Sequence, residues 1–404
     1  MGKTTRARLG PAGPSRGTPP GYRALFTREL LLWSVVSLAS RIPVAMAPLA
    51  FVFLNREGPG GYTLGAGLAA VYVLGEVVGA ALLGGRLGRG RMRRQLAVGL
   101  VVGAFAFGAL ALARSAPSPL LIALAFLAGA APAACPGGVR TMLTRLVPDD
   151  LVPRALSAEA TLTQIVWAAS PALVVFLALQ VHPGAPLVLG ALLAAVAALL
   201  LGRLPELPVA GRAAIPMRRT LWASWPVHLT AAAAMAMLAT AELMLPALLE
   251  DRGIAVSWSG PLLAGFALAS AAGAFCYGLR GWPGSVRAQS LVLLVATAGC
   301  VALTTLPPAL PGIAAALLLA GVFQAGVMVS RNLSLRERLP EHTHAAGYSV
   351  MYAAGAVGYS LTASLSAAAL TATTPAIAIL GGVAVALLVT AVSAVAERRP
   401  SPPS

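Results

Sequence analysis

The stretches "RLVPDDLVPRALS" (Arg145–Ser157) and "ERLPEHTHAAGYS" (Glu337–Ser349) resemble each other when aligned on Pro148 and Pro340, an offset of 192 residues. Each follows one long apolar run and precedes another. A second echo keeps nearly the same spacing. "GAALLGGR" (Gly79–Arg86) and "GAFCYGLR" (Gly273–Arg280) both read G-A-x-x-x-G-x-R and lie 194 residues apart. Short matches arise by chance in a chain rich in Ala and Gly. Two in near register, each between equivalent apolar runs, argue for a parallel duplication.

The duplicated unit is made for lipid. Of 404 residues, 58% are hydrophobic and only 10% charged, and mean hydropathy is +0.82. A soluble chain carries about 25% charged residues, so a soluble protein is excluded. A helix crosses the hydrocarbon with about 20 residues. Apolar runs between polar or turn-rich breaks predict twelve spans: 30–54, 62–85, 95–113, 119–139, 155–181, 184–202, 224–249, 257–282, 287–306, 309–330, 345–371 and 375–396. The expected fold is an all-α integral membrane protein with twelve transmembrane helices in two pseudo-symmetric six-helix bundles. The expected division is a basic tail 1–29, a bundle 30–202, a linker 203–223, a bundle 224–396 and a tail 397–404. Parallel six-helix repeats place a binding site between the halves near the midplane.

Charge sets the orientation. With a cytoplasmic N-terminus, the tails and inner loops hold 25 of the 29 Lys and Arg, the outer loops hold Arg56, Arg114 and Arg252, and Arg41 remains within a span. Basic residues gather in cytoplasmic loops, so both termini are expected in the cytoplasm of an inner-membrane protein. The net charge of +16 therefore reflects membrane orientation, not nucleic acid. Trp33, Trp222, Trp225, Trp258 and Trp282 fall near span ends, as an interfacial belt requires. Three cysteines within apolar runs suggest no disulfide framework. No apolar core with a small-residue cleavage site follows the first 29 residues, so no cleaved signal is expected.

Twelve spans, a 6+6 repeat and a central basic loop resemble the major facilitator superfamily across essentially the whole chain. Finer features are similar to its actinobacterial members: R-x-P-x-A-M (Arg41, Pro43, Ala45, Met46), the basic turn after span 2, and "VRTMLTRLVPD" followed by "RALSAE" (Val139–Asp150, Arg154–Glu159). The superfamily's loop motif, roughly G-x-L-a-D-r-x-G-r-r, stands here as "GGRLGRGRMRR" (Gly84–Arg94), with Gly88 or Arg89 at the acid's place. The span 4 arginine of many drug/proton antiporters would fall at Ala125, four residues before Gly129. The glycine-rich span 5 pattern of that group survives at most as Ser170-Pro171. The resemblance thus implies the fold more than the antiporter subtype.

Few charges lie inside the spans: Arg41, Glu76 and Glu242, with Glu159 near an inner end. Each costs roughly 2.5–3.5 kcal/mol at the bilayer centre unless paired or wetted. At 1.5 Å per residue, Arg41 lies about 17 Å and Glu76 about 15 Å from the inner face. Equal depth predicts an Arg41–Glu76 pair between helices 1 and 2, either a structural clasp or part of a substrate site. Pro43 and Pro48 would bend that helix beside a moving cavity. Glu242 lies roughly 12 Å deep in a half with no basic residue in any span. An unpaired carboxylate in low dielectric favours its neutral form, the property a proton-coupled carrier needs; a purely structural role is the alternative. Glu159, within two turns of the basic surface, reads as structural. Further candidates are Tyr72, Gln164, Trp167, Gln324, Tyr352 and Tyr359. The resemblance implies a cavity lined mainly by helices 1, 2, 4, 5, 7, 8, 10 and 11, which carry them, although such residues more often pack helices together.

There is no G-x-x-x-x-G-K-[ST]. His342 and His344 lack the neighbours of a metal site, and no constellation of His, Asp or Glu marks a catalytic centre. The expected function is secondary transport by alternating access, with proton-coupled export of a small amphipathic molecule favoured. Uptake of an anionic metabolite held by Arg41, and a non-transporting sensor or assembly protein, are the alternatives. The implied partners are a small-molecule substrate, protons and the lipid bilayer, with no nucleic acid, no cofactor and no metal; a monomer is compatible with all of them.

Overall fold

A computed structural model describes residues 22–55, 61–84, 87, 92–113, 116–205, 222, 224–370 and 372–397. The expected N-terminal tail, most of the linker 203–223 (with Arg212, Arg218 and Arg219), most of the basic turn after span 2, and residues 398–404 lie outside them.

No strand occurs among the described residues. The helices are α1 (Arg28–Asn55), α2 (Gly61–Gly84), α3 (Met92–Leu112), α4 (Ser118–Ala130), α5 (Cys135–Leu146), α6 (Val152–Gln180) and α7 (Ala185–Leu201). After residue 224 come α8 (Trp225–Asp251), α9 (Ser259–Leu279), α10 (Val286–Leu303), α11 (Leu310–Arg338), α12 (His344–Leu370) and α13 (Pro375–Ala396). Among the described residues, eleven segments, taking α4 and α5 together, are long and apolar enough to cross a membrane. The shorter α7, 17 residues, spans about 26 Å at 1.5 Å per residue.

Proline punctuates these helices. It occupies the first turn of α4, α5, α6, α7, α8, α11 and α13, where its missing N–H would have no partner anyway. Ser285 and Thr374 cap α10 and α13 by accepting from Ala288 N and Ile377 N. Pro132 and Pro136 flank the turn between α4 and α5, so the fourth span is two stacked helices.

Two span ends lie well beyond expectation. The fourth ends at Leu146, not 139, and the tenth at Arg338, not 330. An apolar reading stops at the first arginine, but Arg140 and Arg331 stay helical because each finds a buried carboxylate. Trp33 also departs from the interfacial belt. It is 2% exposed, and its Nε1 donates to Val139 O at 2.8 Å.

Helices α1–α7 pack mainly on one another, as do α8–α13, with α6 against α9 and α12 against α2 and α5 joining the sets. Toward the face where α2 ends and α3 begins, here the basic face, the core is continuous. Leu30, Trp33, Leu96, Leu143 and Leu156 share it with Ala274, Tyr277, Val329 and Leu333. Toward the opposite face the core divides. Phe51, Leu68, Phe107 and Leu121 form one cluster, and Met244, Leu262, Phe266 and Ile313 another. Among the described buried residues, the cluster shared by the two sets lies toward the basic face.

Candidate functional site

Arg41 does not meet Glu76. On α1, Ser37 and Arg41 are four residues apart and share a face; on α6, Glu159 and Thr163 do the same. Arg41 Nε donates to Ser37 Oγ at 3.1 Å, Nη1 to Thr163 Oγ1 at 2.9 Å, and Nη2 to Glu159 Oε1. Arg140 of α5 reaches the same carboxylate, with Nε 3.0 and 2.9 Å from its two oxygens and Nη2 2.7 Å from Oε1. The Glu159 side chain is 1% exposed. The expected Arg41–Glu76 pair is corrected on a simple ground. Depth fixes one coordinate and leaves the direction around the helix axis free. The long arginine side chain then extends toward the basic face, down to Glu159.

Glu76 instead sits between tyrosines. Tyr72, one turn earlier on α2, and Tyr352 of α12 each donate a hydroxyl to Oε1 at 3.4 Å. Tyr72 is held by Phe51 and Phe107, with ring centroids 5.6 and 6.2 Å away. Glu242 of α8 accepts from the Tyr359 hydroxyl at 2.9 Å. The Arg140 guanidinium lies 5.6 Å from the Tyr348 ring centroid. Tyr348, Tyr352 and Tyr359 fall within about 40° of one another at 100° per residue, so one face of α12 meets one arginine and two glutamates from three other helices.

The remaining candidates are dispersed. Gln324 is 1% exposed; its Nε2 donates to Ala234 O of α8 at 2.8 Å, while its Oε1 has no hydrogen-bond partner. Gln164 is half-buried and Trp167 is 48% exposed; neither joins these clusters.

A further cluster was not legible in the sequence. Arg331 of α11 is 1% exposed. Its Nη1 donates to Thr230 Oγ1 at 2.6 Å and to Glu397 Oε1 at 3.0 Å, and its Nη2 to Ser290 Oγ. The fully buried Glu397 carboxylate also meets Arg287 Nε at 2.9 Å and Arg338 Nη2 at 3.9 Å. Arg331 therefore corrects the expectation that no basic residue lies within a span of the second half.

The repeated stretches meet each other across the basic face. Arg145 Nε pairs with Glu341 Oε1 at 3.1 Å, and Arg336 Nη2 with Asp149 Oδ1 at 2.6 Å. In each copy an arginine ends one helix, a proline breaks the chain, and an acid follows; each arginine takes the other copy's acid. Beside them Ser349 is wedged between two glycines. A Cβ at Gly84 would lie 2.4 Å from Ser349 Cβ, and one at Gly137 2.4 Å from Ser349 Oγ. A cleft of about 850 Å³ surrounds these pairs, lined by Arg145, Asp149, Arg336, Glu337, Glu341 and His344; it borders none of the tyrosine–glutamate contacts. Thr161 Oγ1 also donates across the halves to Ala271 O at 3.2 Å.

Exposed ion pairs contribute roughly 0.2–1 kcal/mol each, so the latches bias an equilibrium without fixing it. With the exposed Cys276 replaced by Ser, Arg145→Glu is expected to raise maleimide labelling of Ser349→Cys from the basic face about two- to fivefold. Adding Glu341→Arg should restore the slow rate. Equal rates in all three proteins would show that the pair closes nothing.

A family model described as Major Facilitator Superfamily matches residues 30–363. Among solved structures, the human organic anion transporter MFSD10 (TETRAN) superposes with a TM-score of 0.73 at 15% identity, covering 93% of this chain and 100% of that one. A bacterial homologue of the iron transporter ferroportin, in its outward-facing state, gives 0.73 at 17%, covering 92% and 99%. FucP in the outward conformation gives 0.71 at 12%, covering 94% and 100%. At such identities the likeness is one of fold alone. A search of curated protein sequences gives no match.

Proposed function

The chain belongs to the Major Facilitator Superfamily, and from that premise we propose that it is a secondary transporter of the inner membrane. Two six-helix units, 30–202 and 224–396, rock about a site between them, with both termini in the cytoplasm and the basic face cytoplasmic. We propose export of a small amphipathic molecule driven by protons.

The observation that carries this reading is the partnership of Glu76 and Glu242. Glu76 accepts from two tyrosine hydroxyls and Glu242 from one, and neither is hydrogen-bonded by an arginine or lysine among the described residues. A carboxylate held this way can take up and give back a proton without breaking an ion pair. Glu76 is also touched from both halves, by Tyr72 and by Tyr352, so its protonation and the approach of the halves are linked. The continuous core and crossed ion pairs at the basic face, with divided cores opposite, support an outward-facing arrangement. Arg41 supports export over anion uptake, because all three of its nitrogens already donate within the protein.

Cellular accumulation tests the proposal. A mixed panel of lipophilic cations, neutral drugs and organic anions is compared in empty cells, expressing cells and cells with Glu242→Gln at equal expression, each with and without a protonophore. The expected result is lower accumulation of some compound, abolished by the protonophore and by the substitution. Higher accumulation of an anion, insensitive to Glu242→Gln, would overturn both direction and coupling.

A further inference from the structure

We propose that the foot of α9, α10, α11 and α13, on the basic face, binds the headgroup of an anionic phospholipid with two phosphodiesters, through Arg280, Arg287 and Arg338. The site is separate from the tyrosine–glutamate contacts and stands whether or not the chain transports.

Positive charge is left over around Glu397. Its Oε1 accepts from Arg331, and its Oε2 faces Arg287 Nε at 2.9 Å and Arg338 Nη2 at 3.9 Å. The two arginines are therefore neighbours across one oxygen. That oxygen receives no aligned hydrogen bond, so both contacts are ionic only. One carboxylate cannot offset three guanidinium groups. Arg331 is buried and engaged by Thr230 and Ser290, so the excess falls on the half-buried Arg287 and Arg338. Glu337, beside Arg338 at the end of α11, supplies a second acid, and Arg280 supplies a fourth cation. Four arginines against two carboxylates leave two positive charges. Residues 398–404 bring no Asp or Glu and add Arg398 and Arg399. Like charges held together beside hydrocarbon repel and are costly to desolvate. An anion from outside the chain removes that cost.

The turn between α9 and α10 presents Arg280 in a fixed place. This arginine ends the second copy of G-A-x-x-x-G-x-R and is exposed. It meets no acid among the described residues; its guanidinium lies 4.4 Å from the centroid of the Trp282 ring. Trp282 stacks on Tyr277 with centroids 6.0 Å apart, and its Nε1 donates to Tyr277 O at 2.9 Å. The Tyr277 hydroxyl donates to Gln289 Oε1, and Gln289 Nε2 donates to Trp282 O at 3.1 Å and Gly284 O at 3.2 Å. Gly284 turns the chain at φ +82°, which glycine adopts without strain. A turn braced by three side chains lowers the ordering cost of binding.

The surroundings indicate the ligand. Guanidinium groups match phosphate oxygens with paired hydrogen bonds, and basic pockets between helices at the cytoplasmic side of a membrane take anionic headgroups. Trp282 is exposed, and an indole at a span end sits at headgroup level. Leu279, Val292 and Val395, each within two turns of these residues on α9, α10 and α13, are exposed and apolar. Acyl chains can lie on that surface; a free phosphate ion would use none of it. Two centres of positive charge, one at Trp282 and one at Glu397, correspond to two phosphodiesters joined by a glycerol, as in diphosphatidylglycerol.

Native mass spectrometry of the full-length, delipidated protein in detergent reads the binding. Diphosphatidylglycerol should bind about tenfold more tightly than phosphatidylglycerol at equal phosphate, because its second phosphate is tethered. Arg280→Gln and Arg338→Gln should each weaken it about fivefold, and together about 25-fold, the contribution of cations at an anionic membrane surface. Arg203→Gln, at an exposed arginine just beyond the end of α7 on the same face, should leave it nearly unchanged. Excess inorganic phosphate should not displace the lipid. If Arg338→Gln fails to fold, Arg280→Gln, in an exposed turn outside the buried cluster, decides the matter alone. Three results would each overturn the inference. Equal weakening by Arg203→Gln would reduce the patch to diffuse surface charge. Equal affinity for the two anionic lipids per phosphate would remove the paired phosphodiesters. Displacement by inorganic phosphate would make the place an ion site.

Discussion

Glu159→Ala is expected to be the most damaging single substitution in the protein. It strips the common partner from Arg41 and Arg140 and leaves two guanidinium groups in the interior with no carboxylate. Removing one member of a buried ion pair costs about 3–5 kcal/mol, and whole-domain stability is only about 5–15 kcal/mol. The expected readout is loss of most of the monodisperse peak in detergent size-exclusion chromatography and a clear fall in the midpoint of thermal unfolding. Replacing the arginines as well, in Arg41→Met/Arg140→Met/Glu159→Leu, should recover much of the loss, since packed apolar groups can stand in for a buried ionic triad. A Glu159→Ala protein with the parent's midpoint would show that the triad holds nothing together.

The second large effect is expected at the other buried cluster. Glu397 follows the end of α13, yet its carboxylate is fully buried and faces Arg331, Arg287 and Arg338. Through them it ties α13 to α10 and α11. Arg331 also reaches Thr230 of α8, so four helices converge on one carboxylate. Glu397→Ala should cost about 3–5 kcal/mol on the same reasoning, read as a lower unfolding midpoint. The double variant Arg331→Leu/Glu397→Leu should lie above Glu397→Ala alone. The strictly additive sum of the two single losses would show that the residues do not act as a pair.

These two clusters also mark where the sequence could and could not be read. The spans were legible because the hydrocarbon demands about 20 apolar residues and because proline and polar breaks separate the runs. Their depths were legible too, which is why Arg41 and Glu76 fell at one level. Their azimuths were not. Arg41 turns toward α5 and α6, while Glu76 turns toward α12, and no count along the chain distinguishes these directions. Arg140 and Arg331 were hidden by their own charge, since hydropathy ends a span where a paired arginine lets it continue. The repeat at Pro148 and Pro340 was visible as a pattern, but its use was not. Arg145 and Arg336 find acids in the opposite copy, a relation that exists only once the two copies face each other. Tyr352 and Tyr359 stood out as polar groups in a span. Tyr348 completes their face because its neighbour is an arginine from a different helix.

On the proposed mechanism, the two halves move reciprocally about a fixed site. Spin labels test it most directly in a Cys276→Ser background, since Cys276 is the exposed thiol while Cys135 and Cys300 are buried. One pair, Ser118→Cys with Ala309→Cys, spans the starts of α4 and α11 on the face opposite the basic one. The other, Arg203→Cys with Ser285→Cys, spans the end of α7 and the start of α10 on the basic face. Distances are measured by pulsed electron resonance in nanodiscs at several pH values. Two populations are expected, with weights that change together: where the first distance shortens, the second lengthens, and Glu76→Gln removes the pH response. A single invariant distance at both faces under all conditions would contradict alternating access.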